Sequence, residues 1–204
     1  MTLRVAVLVS GTGTNLQALL DAASSDPRAE IVLVGCNRTD APALGRAQGA
    51  GVPTCVVDRR EVPRRADRQA RLLDALRQHR VDLIVLAGFD EILLPDVVRA
   101  YPQRIINTHP SLLPAFGGSM HAVQQALDHG VKVSGATVHL VTEDLDAGPI
   151  LLQAAVPVEP DDDEPALHAR ILEQEHRLLP LAVRAFAEGR VRIEGNRACV
   201  IGST

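Results

Sequence analysis

The sequence predicts a doubly wound α/β fold on a mostly parallel sheet, with an antiparallel excursion in its second half. Three observations carry that reading. Apolar, β-branched runs alternate with helical patterns through the first hundred residues, and a glycine-rich turn separates the first run from the first helix. In the second half, two apolar runs are joined by a short acidic turn.

Leu3 to Val9 is a nearly continuous aliphatic run, as a strand buried on both faces of a parallel sheet requires. Ser10-Gly11-Thr12-Gly13-Thr14 turns the chain into a helix from Asn15 to Ala23, where Leu16, Leu19 and Leu20 recur at helical spacing. Ile31–Cys36 reads as a second strand. Ala41–Gly51 reads as a short helix, with Asp40 as its N-cap and Pro42 in its first turn. Thr54–Asp58 is a third strand. Arg64–His79 is an amphipathic helix with Ala66, Ala70, Leu73 and Leu76 on its apolar face, and Leu83–Ala87 is a fourth strand. With right-handed crossovers, these elements make a Rossmann-like half over about residues 1–100. Ligands of such sheets lie beyond the carboxyl ends of the strands, so the turn at 10–14 and the segments from Gly88 and Asn107 are expected on one rim.

Residues from about 101 to 190 read differently. Arg104–Thr108 is a short strand, 109–119 a loop rich in Pro and Gly, and Met120–His129 a helix. Ser134–Val141 and Ile150–Val158 are strands joined by the acidic turn Thr142–Pro149. Glu164–Glu188 is mostly one long helix. A tail over 191–204 follows, with Arg190–Glu194 and Ala198–Ile201 suited to a small hairpin. No repeat or linker divides the chain, so a single domain is expected.

The 204 residues are 46% hydrophobic and 23% charged, enough for a full core without disulfides or metals. Aromatics are only 2%, so that core must be aliphatic. The net charge of −4 gives no positive field for nucleic acid or an acidic membrane, and a small anion has to be held by local donors. Cys36, Cys55 and Cys199 fit neither a disulfide framework nor a zinc site, and no metal is expected. The N-terminal apolar run is too short for a membrane span and lacks a signal layout, so a cytoplasmic location is expected.

Three segments carry chemistry. Gly11, Thr12, Gly13, Thr14 and Asn15 follow a strand and open a helix, which offers backbone N–H groups and hydroxyls to an anion. The turn is neither a full GxGxxG nor a P-loop, so a single phosphate fits better than a dinucleotide; a plain βα turn is the alternative. Asn107 and His109 stand two apart at a strand end, pointing to one side, and form a polar pair suited to a developing oxyanion. Asp146 precedes an Ala-Gly-Pro bend; a carboxylate held near His109 is expected to favour the imidazolium and raise its pKa above about 6.5. Glu143 and Asp144 read by themselves as a solvated turn.

SGTGTNLQAL near the N-terminus, AGF at 87–89, NTHPSLLPAF at 107–116, GATVHLVTEDLDAGPILLQ at 135–153 and EQEHRLLP at 173–180 together resemble the phosphoribosylglycinamide formyltransferases of purine synthesis. These enzymes, also called glycinamide ribonucleotide transformylases, are folate-dependent. The resemblance covers almost the whole chain and implies a single formyltransferase domain. It implies transfer of a formyl group from the co-substrate 10-formyltetrahydrofolate to the amine of glycinamide ribonucleotide, without a covalent enzyme intermediate. Asn107 and His109 match the pair that hydrogen-bonds the formyl oxygen, and Asp146 the carboxylate that pairs with the His and relays protons. Residues 11–15 match the phosphate loop, Arg65 a phosphate-contacting Arg (with Arg64 as its alternative), and Glu175 a Glu on the ribose hydroxyls. Phe89, Asp90, Glu91, Ile92 and Leu93, with Val141, Glu143 and Asp144, fall in the folate pocket, read mostly through backbone. Family members are monomers or dimers.

There are two departures. Asp90-Glu91 stand where relatives commonly carry Met-Arg, and the loop 117–121 is one residue longer than usual, which blurs the match of His121 to a family His; a surface position is its alternative. The rivals are formyltetrahydrofolate hydrolase, which carries an added N-terminal domain, and methionyl-tRNA formyltransferase, whose Arg-Gly-x-Ala-Pro after SLLP is absent here. A non-catalytic nucleotide-binding module is the rival from another class.

Overall fold

The computed structural model describes residues 1–202; Ser203 and Thr204, the end of the expected tail, lie outside the described residues. Seven strands form one mostly parallel sheet flanked by helices, the fold class the sequence predicts, and a separate two-stranded hairpin follows near the C-terminus. The chain divides into two compact units, Met1–Ile106 and the residues from Asn107 onward.

In the first unit the order of elements is β1 (Leu3–Val9), α1 (Thr14–Ser25), β2 (Ala29–Cys36), α2 (Ala43–Gly49), β3 (Thr54–Val56), α3 (Arg65–Gln78), β4 (Leu83–Leu86) and α4 (Pro95–Ala100). β1 lies between β2 and β4 and pairs parallel with both, while β3 pairs parallel with the far side of β2. Val5 to Val9 are fully buried, as a central strand covered on both faces must be.

Two expectations are corrected here, and one element is added. The apolar face of α3 is turned: Leu72 and Leu76 are buried with Arg68 and Gln69, while Ala66 and Ala70 are exposed. Two polar side chains face inward because they have partners there, described below. Asp40 does not cap α2, whose N-cap is Pro42; its carboxylate lies 3.2 Å from Arg38 Nε instead. α4 was not foreseen, being only six residues opened by Pro95.

In the second unit α5 (Ala122–Asp128), β6 (Val133–Leu140), β7 (Ile150–Pro157), α6 (Glu164–Ala187), β8 (Val191–Glu194) and β9 (Arg197–Val200) follow β5 (Ile105–His109), whose last three residues open the unit. β6 and β7 pair antiparallel, which is the predicted excursion, and α6 packs on both. Asp163 caps α6 by accepting from the Ala166 N–H at 2.9 Å. Among the described residues, no helix is long and apolar enough to cross a membrane.

Candidate active site

The turn after β1 is built by its glycines. Gly13, the N-cap of α1, has φ 74°, and a Cβ there would lie 2.6 Å from Ala43 Cβ, so only glycine fits. Gly11 is different: a Cβ there meets no heavy atom within 4 Å. Nothing within the protein demands its small size. Gly11 and Thr12 are exposed, Thr14 half-buried, and Asn15 buried. Arg46 of α2, not singled out from the sequence, braces the turn by donating from Nε to the Thr12 carbonyl at 2.9 Å.

Arg65, the first residue of α3, is exposed, and its neighbour Arg64 lies 3.8 Å from Asp67. In the segment after β4, the Asp90 carboxylate accepts from Asn37 Nδ2 at 2.7 Å and from Arg59 Nη2 at 2.6 Å, and the Asp90 N–H donates to Ser10 Oγ at 2.9 Å. Burial alone would raise the Asp90 pKa, but hydrogen bonds from Asn37, Arg59 and Ser10 bring it below its ordinary value. Glu91 pairs with Arg68 at 2.6 Å, their side chains only 11% and 8% exposed. The Glu91 carboxylate therefore turns into the protein, while that of Asp90, with its side chain 31% exposed, stays at the surface with both of its oxygens engaged. Phe89 is half-buried, Leu93 buried and Ile92 exposed.

In the second unit four side chains converge. His109 Nδ1 lies 3.4 Å from Asp146 Oδ2, and His109 Nε2 lies 3.0 Å from the Phe116 carbonyl oxygen. Asn107 Nδ2 lies 3.2 Å from His139 Nε2, which is itself 3.5 Å from Asp146 Oδ1. His139 Nδ1 lies 2.9 Å from the Leu140 carbonyl, an acceptor only, so that nitrogen carries a proton. The Gly118 N–H donates to Asp146 Oδ2 at 2.8 Å, tying the loop after β5 to the acidic turn. Asp146 has φ 51°, and a Cβ on Gly148 would run into the Leu140 carbonyl oxygen, so this turn holds a strained carboxylate on a bend that needs glycine.

The three residues chosen from sequence are thus together, and His139 was missed. Its signal was weak, a lone His within the apolar run of β6.

The electrostatics reverse one expectation. Burial pushes the His109 pKa below its ordinary value and outweighs the attraction of Asp146, which acts the other way. For Asp146 burial acts upward, but contacts with His139, the Gly118 N–H and His109 together hold its carboxyl below the usual range.

Of the other expected positions, Glu175 is buried on α6 at 5% exposure, Val141 is half-buried, and Glu143 and Asp144 are exposed in the acidic turn. His121 is the exposed N-cap of α5.

The formyl transferase family model matches residues 3–183. Phosphoribosylglycinamide formyltransferase of Haemophilus influenzae is 42% identical over 200 residues, spanning 98% of this chain and 94% of the relative. The Drosophila melanogaster trifunctional purine biosynthetic protein adenosine-3 is 46% identical over 93% of this chain, but the chain spans only 14% of that longer protein. Among solved structures, glycinamide ribonucleotide transformylase 1 from Symbiobacterium toebii is 48% identical with a TM-score of 0.93, over 98% of this chain and 94% of that one.

Proposed function

This chain belongs to the formyl transferase family, and from that premise we propose that it transfers the formyl group of 10-formyltetrahydrofolate to the amine of glycinamide ribonucleotide. In this reading it yields formylglycinamide ribonucleotide and tetrahydrofolate for purine synthesis, and the whole chain acts as one formyltransferase domain in the cytoplasm. The observation that carries the mechanism is the convergence of Asn107, His109 and Asp146, with His139 as a fourth member.

10-Formyltetrahydrofolate supplies the electrophilic formyl carbon. The Asn107 and His109 N–H groups donate to the formyl oxygen as it gains negative charge. His109 faces two acceptors, Phe116 C=O and the Asp146 carboxylate, yet burial favours its neutral form with one N–H. The neutral ring donates that N–H to the oxygen as the amine nitrogen bonds to the formyl carbon. Asp146, ionised and held by the Gly118 N–H, accepts through water the proton that leaves the attacking amine, and the proton returns by the same water to the folate nitrogen as its bond to the formyl carbon breaks.

The segment assigned to the folate fits a flat, uncharged heterocycle. With the Glu91 carboxylate turned inward and the Asp90 carboxylate engaged by Asn37 and Arg59, it offers a ligand backbone groups, the half-buried Phe89 and the exposed Ile92. The turn at 11–15 takes the substrate phosphate through backbone N–H groups and hydroxyls, assisted by Arg65 and with Glu175 on the ribose. Gly11, small without an internal reason, supports close approach of a ligand there.

Incubation with both substrates, following deformylation of the folate by absorbance, tests the reading. Turnover dependent on glycinamide ribonucleotide supports it. Formate release independent of that amine points instead to a hydrolase.

A further inference from the structure

The segment Glu91–Leu94 is irregular backbone, and two adjacent side chains of α3 satisfy its polar groups. Gln69, 2% exposed, uses both ends of its amide. Its NH2 donates to Glu91 Oε1 and to the Ile92 carbonyl, each at 2.9 Å, and its carbonyl accepts from the Leu94 N–H at 2.7 Å. Arg68 donates from Nε and Nη2 to Glu91 Oε2 at 3.0 and 2.6 Å. Its Nη1 donates to the carbonyls of Val62 and Pro63, both at 2.7 Å, in the stretch leading to Arg64 and Arg65. A buried ion pair adds little net stability, because desolvation offsets its attraction, whereas a fully satisfied buried network fixes geometry. Here the geometry fixed is that of two segments at once.

We propose that Arg68, Gln69 and Glu91 are positioning residues. They hold the Glu91–Leu94 backbone in advance as the edge that reads the pterin, and through Val62 and Pro63 the same guanidinium sets the approach to Arg64 and Arg65. The inference rests on the folate and phosphate assignments above. It goes beyond them in giving residue 91 an inward role, with its charge consumed by α3 rather than offered to a ligand.

The test is steady-state kinetics with both substrates, alongside thermal melting, on the full chain. Gln69→Met keeps the Arg68–Glu91 pair but removes all three amide bonds. It should raise KM for 10-formyltetrahydrofolate about tenfold, the factor that a loss of about 1.4 kcal/mol produces, and leave kcat and KM for glycinamide ribonucleotide near wild type. If Gln69→Met does not fold, Gln69→Asn replaces it, since drawing the amide back by one methylene breaks the same bonds. Arg68→Lys, a point charge without the guanidinium fork, should raise both Michaelis constants. A lowered melting temperature with unchanged folate KM overturns the positioning role. An unchanged KM for glycinamide ribonucleotide in Arg68→Lys overturns the link to Arg64 and Arg65. A wild-type protein that does not turn over instead overturns the functional reading itself.

Discussion

His109 Nδ1 lies 3.4 Å from Asp146 Oδ2, joining the last residue of β5 to a strained position in the turn between β6 and β7. The same oxygen accepts from the Gly118 N–H, and Oδ1 faces His139, so the carboxylate is positioned before any substrate arrives. The chemistry proposed here depends on that pair.

Asp146→Asn keeps shape but removes the charge beside both imidazoles. It should lower kcat by about 10²-fold or more, in the range of a lost acid–base partner, with folate affinity nearly unchanged. Steady-state kinetics with a separate folate-binding measurement checks this. Normal kcat would take Asp146 out of the mechanism.

The two glycines of the first turn should separate. Gly13→Ala places a side chain at φ 74° and against Ala43, so melting should show a loss of about 1–3 kcal/mol. The Cβ of Gly11→Val meets no heavy atom within 4 Å, so this variant should melt much closer to wild type than Gly13→Ala. Its KM for the phosphorylated substrate should rise, and an unchanged value would put the phosphate elsewhere.

Stability should fall as pH drops below about 6.5, the ordinary His value. The folded His109 pKa is depressed, so below 6.5 the unfolded chain binds the proton more readily than the folded one. The stabilisation from the neutral ring is complete above that pH and is lost as pH falls toward the folded value. His176, also depressed by burial, contributes in the same direction. Melting curves of wild type and His109→Asn between pH 5 and 8 should show a shallower slope for the variant. Parallel slopes would mean the His109 pKa is not depressed.

Gly148→Ala should displace the bend that carries Asp146, because a Cβ runs into the Leu140 carbonyl. Both melting temperature and kcat should drop. Loss of stability alone, at wild-type kcat, would show that the bend does not set the carboxylate.

Much of this was legible in the sequence because it follows from local pattern. Unbroken aliphatic runs mark strands buried on two faces, and the spacing of Asn107 and His109 puts both on one side of β5. What was not legible depends on partners distant in sequence. Arg68 and Gln69 sit on an amphipathic helix, where charged and amide groups ordinarily face water, and it takes Glu91 and the backbone of Val62, Pro63, Ile92 and Leu94 to turn them inward. His139 looks like an interruption in an apolar strand until Asn107 and Asp146 are seen around it. The sign of the His109 shift needed its burial, since proximity to Asp146 alone argues the opposite. Asp40 has a capping side chain, but Arg38, two residues away, competes for it.

The most direct test of the central claim is to follow the formyl carbon itself. With isotopically labelled 10-formyltetrahydrofolate and glycinamide ribonucleotide, NMR should show the label leaving the folate and appearing on the glycinamide nitrogen, at a rate lowered about 10²-fold or more by Asp146→Asn. Label appearing as free formate, or remaining on the folate, would contradict it.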